Sequence, residues 1–184
     1  AALDGNSIRL LISELAKLDK LYDVVIIDTG AGITDSVMEF VMVSPEVLLV
    51  VTPEPTSITD AYSLLKVLRK KEKFNPLYKT IHVVSNRVES VEEGREIYSK
   101  INTVSSKFLN TKLQFLGSVL QDKSASMAII EQKPVVMAYP SSQAARCISE
   151  LSGRLMNEQV EEYKKRDGIA KVFLEFIKSR KKLR

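Results

Sequence analysis

Short apolar runs rich in β-branched residues alternate along this chain with amphipathic stretches of helical length. That alternation narrows the possible folds more than any other feature. The runs are Val24-Val25-Ile26-Ile27, Val47-Leu48-Leu49-Val50-Val51, Ile81-His82-Val83-Val84 and Phe115-Leu116-Gly117-Ser118-Val119-Leu120. The first is written as a strand buried on both faces, and the others follow the same pattern. Residues 5–20 set Ile8, Leu11, Ile12, Leu15 and Leu18 at helical spacing, and further helical patterns cover about 57–74, 91–110, 124–132 and 141–163. Strands separated by helices of this length predict βαβ units. The expected class is α/β, a mostly parallel sheet with helices on both faces. Right-handed crossovers then bring the C-terminal ends of the strands to one edge, where ligands bind.

Size and composition fit one such domain. The chain has 184 residues, 45% of them apolar and 27% charged, which suits a folded core and not a disordered chain. No apolar run approaches the ~18 residues of a membrane span, and no secretory signal is present. Cys147 is the single cysteine, which excludes an internal disulfide and fits a reducing, cytoplasmic compartment. The net charge of +4 is concentrated at one end: nine basic residues between Lys164 and Arg184 face only Asp167 and Glu175, a local +7 that leaves residues 1–163 at −3. This argues against a broad nucleic-acid-binding face and for a basic tail with its own role. The expected division is a domain over 1–163 and a basic linker with a helix over 164–184. The sequence opens Ala1-Ala2-Leu3 without a methionine.

The most informative stretch is Val24-Val25-Ile26-Ile27-Asp28-Thr29-Gly30-Ala31-Gly32. A carboxylate directly after a buried strand stands at the ligand edge, where it can position Mg²⁺ through a coordinated water beside nucleotide phosphates. Two glycines let the following loop approach a phosphate closely and change conformation. The residues alone also allow a strand that ends in a helix-capping or turn aspartate.

Further along stand Thr52-Pro53-Glu54-Pro55-Thr56-Ser57-Ile58-Thr59-Asp60-Ala61-Tyr62, then Val84-Ser85-Asn86-Arg87-Val88 with Glu93-Gly94-Arg95 downstream. Leu116-Gly117 opens the fourth strand and Gln121-Asp122 closes it, ahead of Gln132-Lys133-Pro134-Val135-Val136 and Tyr139-Pro140-Ser141-Ser142-Gln143-Ala144-Ala145. In this order, over roughly residues 1–155, the segments resemble the MinD/ParA family of deviant-Walker P-loop ATPases. DTGAG, TPEPTSITDAY and NRVES followed by EEGRE are similar in particular to its FlhG branch (also FleN or YlxH), which controls flagellar number and placement.

The resemblance implies ATP and Mg²⁺ as cofactors. Asp28 matches the Walker B aspartate acting on the Mg²⁺ shell, and Gly30 and Gly32 match the switch II glycines, Gly32 being the one near the γ-phosphate. Asn86 matches the asparagine that recognises adenine, with Arg87 beside it, and Asp122 falls in the loop that closes over the base. Glu54, Thr59 and Asp60 match a segment near the dimer and partner surface. Read without the resemblance, Asn86 is a turn residue after a strand and Asp60 a solvated first-turn helix acid. The chain departs from the family in one respect. None of its seven glycines is followed by Lys-Ser or Lys-Thr, so the glycine-rich phosphate loop, whose N–H groups and lysines supply most phosphate binding, is missing from this sequence. The expectation is that the chain alone neither binds ATP tightly nor hydrolyses it. The absent loop strand should neighbour Val24–Ile27 and leave ladder groups exposed.

In the tail, Ile169, Val172, Phe173, Phe176 and Ile177 form one apolar stripe, with Lys171 and Lys178 off it and Arg180, Lys181 and Lys182 following. A helix that lies in a membrane interface is written this way, and the family ends in such a helix. The alternatives are a last helix docked on the domain and a solvated tail. Each basic residue near an anionic leaflet contributes about 1 kcal/mol, so one helix binds weakly and two on a dimer bind better. The implied partners are an ATP-dependent second copy, the anionic inner face of the cell membrane and, by resemblance, flagellar proteins such as an FlhF-type GTPase and the switch complex. Rival readings are a septum-site MinD and a non-enzymatic scaffold, with a DNA-partitioning ParA disfavoured by the placement of the basic cluster. His82 reads as a core or sheet-face histidine, Cys147 as packing, and Glu92, Glu93, Arg95 and Glu96 as a solvated face.

Overall fold

The structure, a computed structural model, describes residues 13–15, 17, 18, 20–71, 74, 79–159, 173 and 174. Contacts divide the chain into two compact units, Ala1–Ser44 with Glu162–Arg184, and Pro45–Glu161.

The larger unit is built on the predicted alternation. Its elements are β1 (Glu46–Val51), α2 (Pro55–Lys70), β2 (Thr80–Val88), α3 (Val91–Leu109), β3 (Gln114–Leu120), α4 (Lys123–Ile130), α5 (Val135–Ala138) and α6 (Gln143–Gln159). The strands are parallel and lie in the order β1-β2-β3. Val47 pairs with Ile81 and Leu49 with Val83, while His82 pairs with Gln114. Central strand β2 is buried along Ile81–Ser85, and with Val51, Leu65, Leu68, Ile97, Ile101, Leu113 and Leu116 it makes the core.

Two glycines define how helices meet this sheet. A Cβ on Gly94 of α3 would meet the Cβ atoms of Ser118 at 3.1 Å and Ser85 at 3.2 Å, so the missing side chain lets α3 lie close on β2 and β3. The hydroxyl of Ser85 donates to the Gly94 carbonyl at 2.8 Å across that contact. Gly117, next to Ser118 and therefore facing the other way, meets α6: its Cβ would come within 2.7 Å of Leu151 Cδ2. Helices thus cover both faces. Gly117 also has φ 153° and follows a register shift between Val83 and Val84, which leaves the Leu116 carbonyl to accept from Arg154 Nη1 at 2.9 Å.

Helix ends follow their sequence signals. Pro55 occupies the first position of α2. Ser90 caps α3 by accepting from Glu93 N–H at 3.1 Å, and Glu93 reaches back to accept from Glu89 N–H at 2.7 Å, close to a capping box. Asn110 ends α3 in the left-handed region. The helix expected over 57–74 occupies 55–70, and the one expected over 141–163 runs over 143–159 among the described residues, 160–163 lying outside them. The third strand runs to Val88, past the expected Val84, because Val119 and Leu120 of β3 continue the ladder opposite Asn86 and Val88. His82 is buried in β2 with Nε2 at 3.5 Å from Glu46 Oε2.

In the smaller unit residues 13–15, 17, 18, 20 and 21 are helical, within the expected 5–20 stretch and one residue past it. Val24–Ile27 is the main departure. Expected as a strand buried on both faces, it belongs to no sheet among the described residues, and Ile26 is 75% exposed. An apolar run becomes a strand only when a neighbouring strand supplies ladder partners. Helix α1 (Asp35–Val43), absent from the sequence reading, is capped by Thr34, whose hydroxyl accepts from Val37 N–H at 3.5 Å, and closed by Ser44 donating to the Phe40 carbonyl. Phe40 stacks on Phe173 with ring centroids 6.2 Å apart, and Phe173 is buried. Phe173 and Leu174 are helical; the other tail residues singled out above lie outside the described residues. No helix among the described residues is long and apolar enough to cross a membrane.

Candidate functional site

Parallel pairing brings the C-terminal ends of β1, β2 and β3 to one edge, and the polar residues singled out in the larger unit gather there. Glu54 follows β1 and stands at the N-cap position of α2 without capping it. Its carboxyl is held below the usual carboxylate range, first by a hydrogen bond from the Thr52 side chain, then by its own N–H, with the Arg87 charge adding to these against weak burial. Thr52 N–H donates to the Ser57 hydroxyl at 3.0 Å, which fixes the turn into the helix. Thr59 and Asp60 are exposed on α2, and the Thr59 hydroxyl donates to the Pro55 carbonyl at 2.9 Å. Since α2 begins at Pro55, Asp60 belongs to the second turn and not the first.

Asn86 and Arg87 are part of β2 and not of a turn beyond it. Arg87 has φ 59° and sits at a register shift, so it is the extra residue between Asn86, opposite Val119, and Val88, opposite Leu120. Its guanidinium lies between the two neighbouring strand ends, Nη1 at 3.8 Å from Glu54 Oε1 and Nε donating to Gln121 Oε1 at 3.3 Å. Gln121 N–H in turn donates to the Val88 carbonyl at 2.8 Å.

Asp122 caps two helices at once. Oδ1 accepts from Ser124 N–H at 2.8 Å in the first turn of α4, and Oδ2 accepts from Ala144 N–H at 3.0 Å at the start of α6. The Ala144 bond, then the Ser124 bond, hold its carboxyl below the usual range. Sequence reasoning placed Asp122 at this edge but missed that its carboxylate oxygens are spoken for by backbone donors. It also passed over Gln121; the available signal was its position directly after a strand on the ligand edge.

The smaller unit holds the other sequence-singled residues. Asp28, Thr29, Gly30 and Gly32 are exposed in an extended segment ahead of α1. Gly32 has φ 105°, which side-chain-bearing residues rarely adopt, and no atom lies within 4 Å of where a Cβ would stand at Gly30 or Gly32. Backbone this open can take a phosphate oxygen at close range, and Asp28 adds an exposed carboxylate four residues before Gly32. The described residues of the chain contain no cluster of three or more histidine, cysteine or acidic side chains that could hold a metal by themselves.

These strand-end residues sit in a chain with recognisable kin. It is 40% identical over 135 residues to the antiactivator FleN of Pseudomonas aeruginosa, covering 73% of this chain and 47% of FleN. This chain is a FlhG-like member of the MinD/ParA family. No protein-family model matches it. The flagellum site-determining protein YlxH of Helicobacter pylori is 27% identical over 137 residues, 74% of this chain and 45% of YlxH. Among solved structures, septum site-determining MinD of Pyrococcus horikoshii, complexed with Mg-ADP, superposes with a TM-score of 0.59 at 22% identity, over 84% of this chain and 60% of that one. The MinD/ParA likeness therefore extends to the α/β P-loop NTPase fold. The chain spans about half the length of the curated relatives it matches.

Proposed function

We propose that this chain is the C-terminal part of an ATP-dependent switch of the FlhG type, which dimerises with nucleotide and associates reversibly with the membrane to control flagellar number and placement. The observation that carries the reading is the convergence of Glu54, Asn86, Arg87, Gln121 and Asp122 on the C-terminal edge of a parallel sheet, in a chain 40% identical to FleN. Bound ATP would supply the γ-phosphate whose presence or loss distinguishes the two states.

The chain's own residues divide the work. The Asn86 side-chain amide carries both donors and an acceptor, the pair of functions needed to read the edge of adenine. Arg87 belongs to the same end of the site. Asp122 holds the starts of α4 and α6 so that the loop after β3 keeps its shape near the base. Asp28 would hold the water shell of Mg²⁺, and the open backbone at Gly30 and Gly32 would admit the phosphate. Glu54, Thr59 and Asp60 offer an exposed polar surface at the start of α2 to a second copy or a partner. The stripe Ile169, Val172, Phe173, Phe176 and Ile177, with Lys178, Arg180, Lys181 and Lys182, would bind an anionic leaflet at the inner face of the membrane. Phe173 is buried against Phe40, so membrane entry requires that contact to open.

The test is nucleotide binding by the full-length protein that contains this chain. Asn86→Ala is expected to lower ADP affinity roughly ten-fold and to erase the preference for ADP over GDP, as loss of a paired hydrogen bond of about 1.5 kcal/mol requires. An unchanged preference, measured by calorimetry, would sink the adenine-site assignment.

A further inference from the structure

Arg87, at the sheet's ligand edge, has a positive φ, a backbone conformation that its residue type does not favour. At φ 59° glycine stands without strain and arginine does not. Such a conformation persists where its surroundings over-determine it. Here the surroundings are named: β3 pairs Val119 with Asn86 and Leu120 with Val88, so the ladder closes around Arg87 as a bulge and re-aims its side chain. The guanidinium then reaches both flanking strand ends, 3.8 Å from Glu54 after β1 and 3.3 Å from Gln121 after β3. A planar fork of five donors can serve both partners at once, whereas an ammonium offers a single point charge.

Both partners are themselves fixed. Glu54 is tied to Thr52 and precedes Pro55 at the first position of α2. Gln121 donates its N–H to Val88, and the next residue, Asp122, holds the N-termini of α4 and α6. The arginine side chain thus links the start of α2 to the starts of α4 and α6, across the strand that carries Asn86.

We propose that Arg87 is a positioning residue that acts through Glu54 and Gln121: by bridging the three strand ends it fixes the bulge that aims Asn86, and so sets the selectivity for adenine without itself contacting the base. This rests on the reading of Asn86 as the base-recognition residue. The bridge is exposed, so its worth to folding is small, and its effect belongs in selectivity.

The experiment compares Arg87→Gly, Arg87→Lys and Asn86→Ala in the full-length protein, measuring ADP and GDP binding and the melting temperature. Arg87→Gly keeps the left-handed backbone available while deleting the bridge. It is expected to melt no lower than the unaltered protein, yet to lose roughly three- to ten-fold in preference for ADP over GDP, the equivalent of one modest polar interaction. Arg87→Lys should not restore that preference. In the nucleotide-free protein, Arg87→Gly should also speed hydrogen exchange at the Gln121 amide. If Asn86→Ala loses the preference and Arg87→Gly retains it, the positioning role is wrong and the base site stands. If Asn86→Ala retains the preference, the base site is wrong and the positioning role falls with it.

Discussion

Asp122 illustrates how much a single side chain can hold in this molecule. Two backbone donors on two helices, Ser124 N–H and Ala144 N–H, share its carboxylate. Those bonds keep its folded-state pKa below the ordinary value, so the folded chain gives up the proton more readily than the unfolded one. The stabilisation is fully present above the unfolded value of about 4 and is lost as pH falls through the depressed folded value. Asp122→Asn is therefore expected to melt lower than the unaltered chain at neutral pH and to show a shallower acid decline, both read from thermal unfolding followed between pH 7 and pH 3. Some of this scale was legible beforehand. Asn86 and Asp122 were singled out through the family resemblance, and their places at the C-terminal ends of β2 and β3 agree with a ligand edge. The bulge at Arg87 could not be found, since the glycine that advertises a left-handed position is not there. Gln121 was marked only by its position directly after a strand, and its partner, an arginine 34 positions away in sequence, could not be read from the chain.

Among the elements, the strands and longer helices of the larger unit matched their patterns, because each strand there has a neighbour to pair with, while the four-residue α5 was not expected. Val24–Ile27 is as apolar as Val47–Val51 of β1 and still forms no strand among the described residues, so apolar character alone does not separate the two. Helix α1 went unread for a related reason: Val37, Met38, Phe40, Val41, Met42 and Val43 crowd nine positions with apolar side chains and obscure a helical period. Its cap was visible in Thr34. The tail's sequence allowed a membrane helix, a docked helix or a solvated tail, and Phe173 is buried against α1 through Phe40. A tilted aromatic pair of this kind contributes about 0.5–1.5 kcal/mol beyond area burial. Phe40→Ala is expected to free Phe173 and to raise binding to phosphatidylserine vesicles roughly two- to ten-fold in a sedimentation assay. Weaker or unchanged binding would mean that the stacked pair does not restrain the tail.

For the whole molecule, the class of fold and the family were both within reach of the sequence, because periodicity fixes the layers and the order of motifs carries the likeness. What periodicity could not give is which surfaces stay open. Strand β1 has one ladder neighbour among the described residues, and two of its apolar side chains, Leu48 at 42% and Val50 at 55%, are exposed. An apolar edge of this kind invites strand addition by another copy. Val50→Lys should raise the concentration at which the 184-residue chain begins to scatter light while leaving its melting temperature nearly unchanged, since that side chain packs little in the fold. The strand order has a consequence in time. Because β1, β2 and β3 are neighbours in the order in which they are made, each new strand finds its partner already waiting, one helix upstream. A chain so arranged can assemble as it leaves the ribosome, adding one layer per crossover. The amides of β2, sheltered on both sides, should then be the last to exchange with solvent, a memory of the step around which the rest was laid.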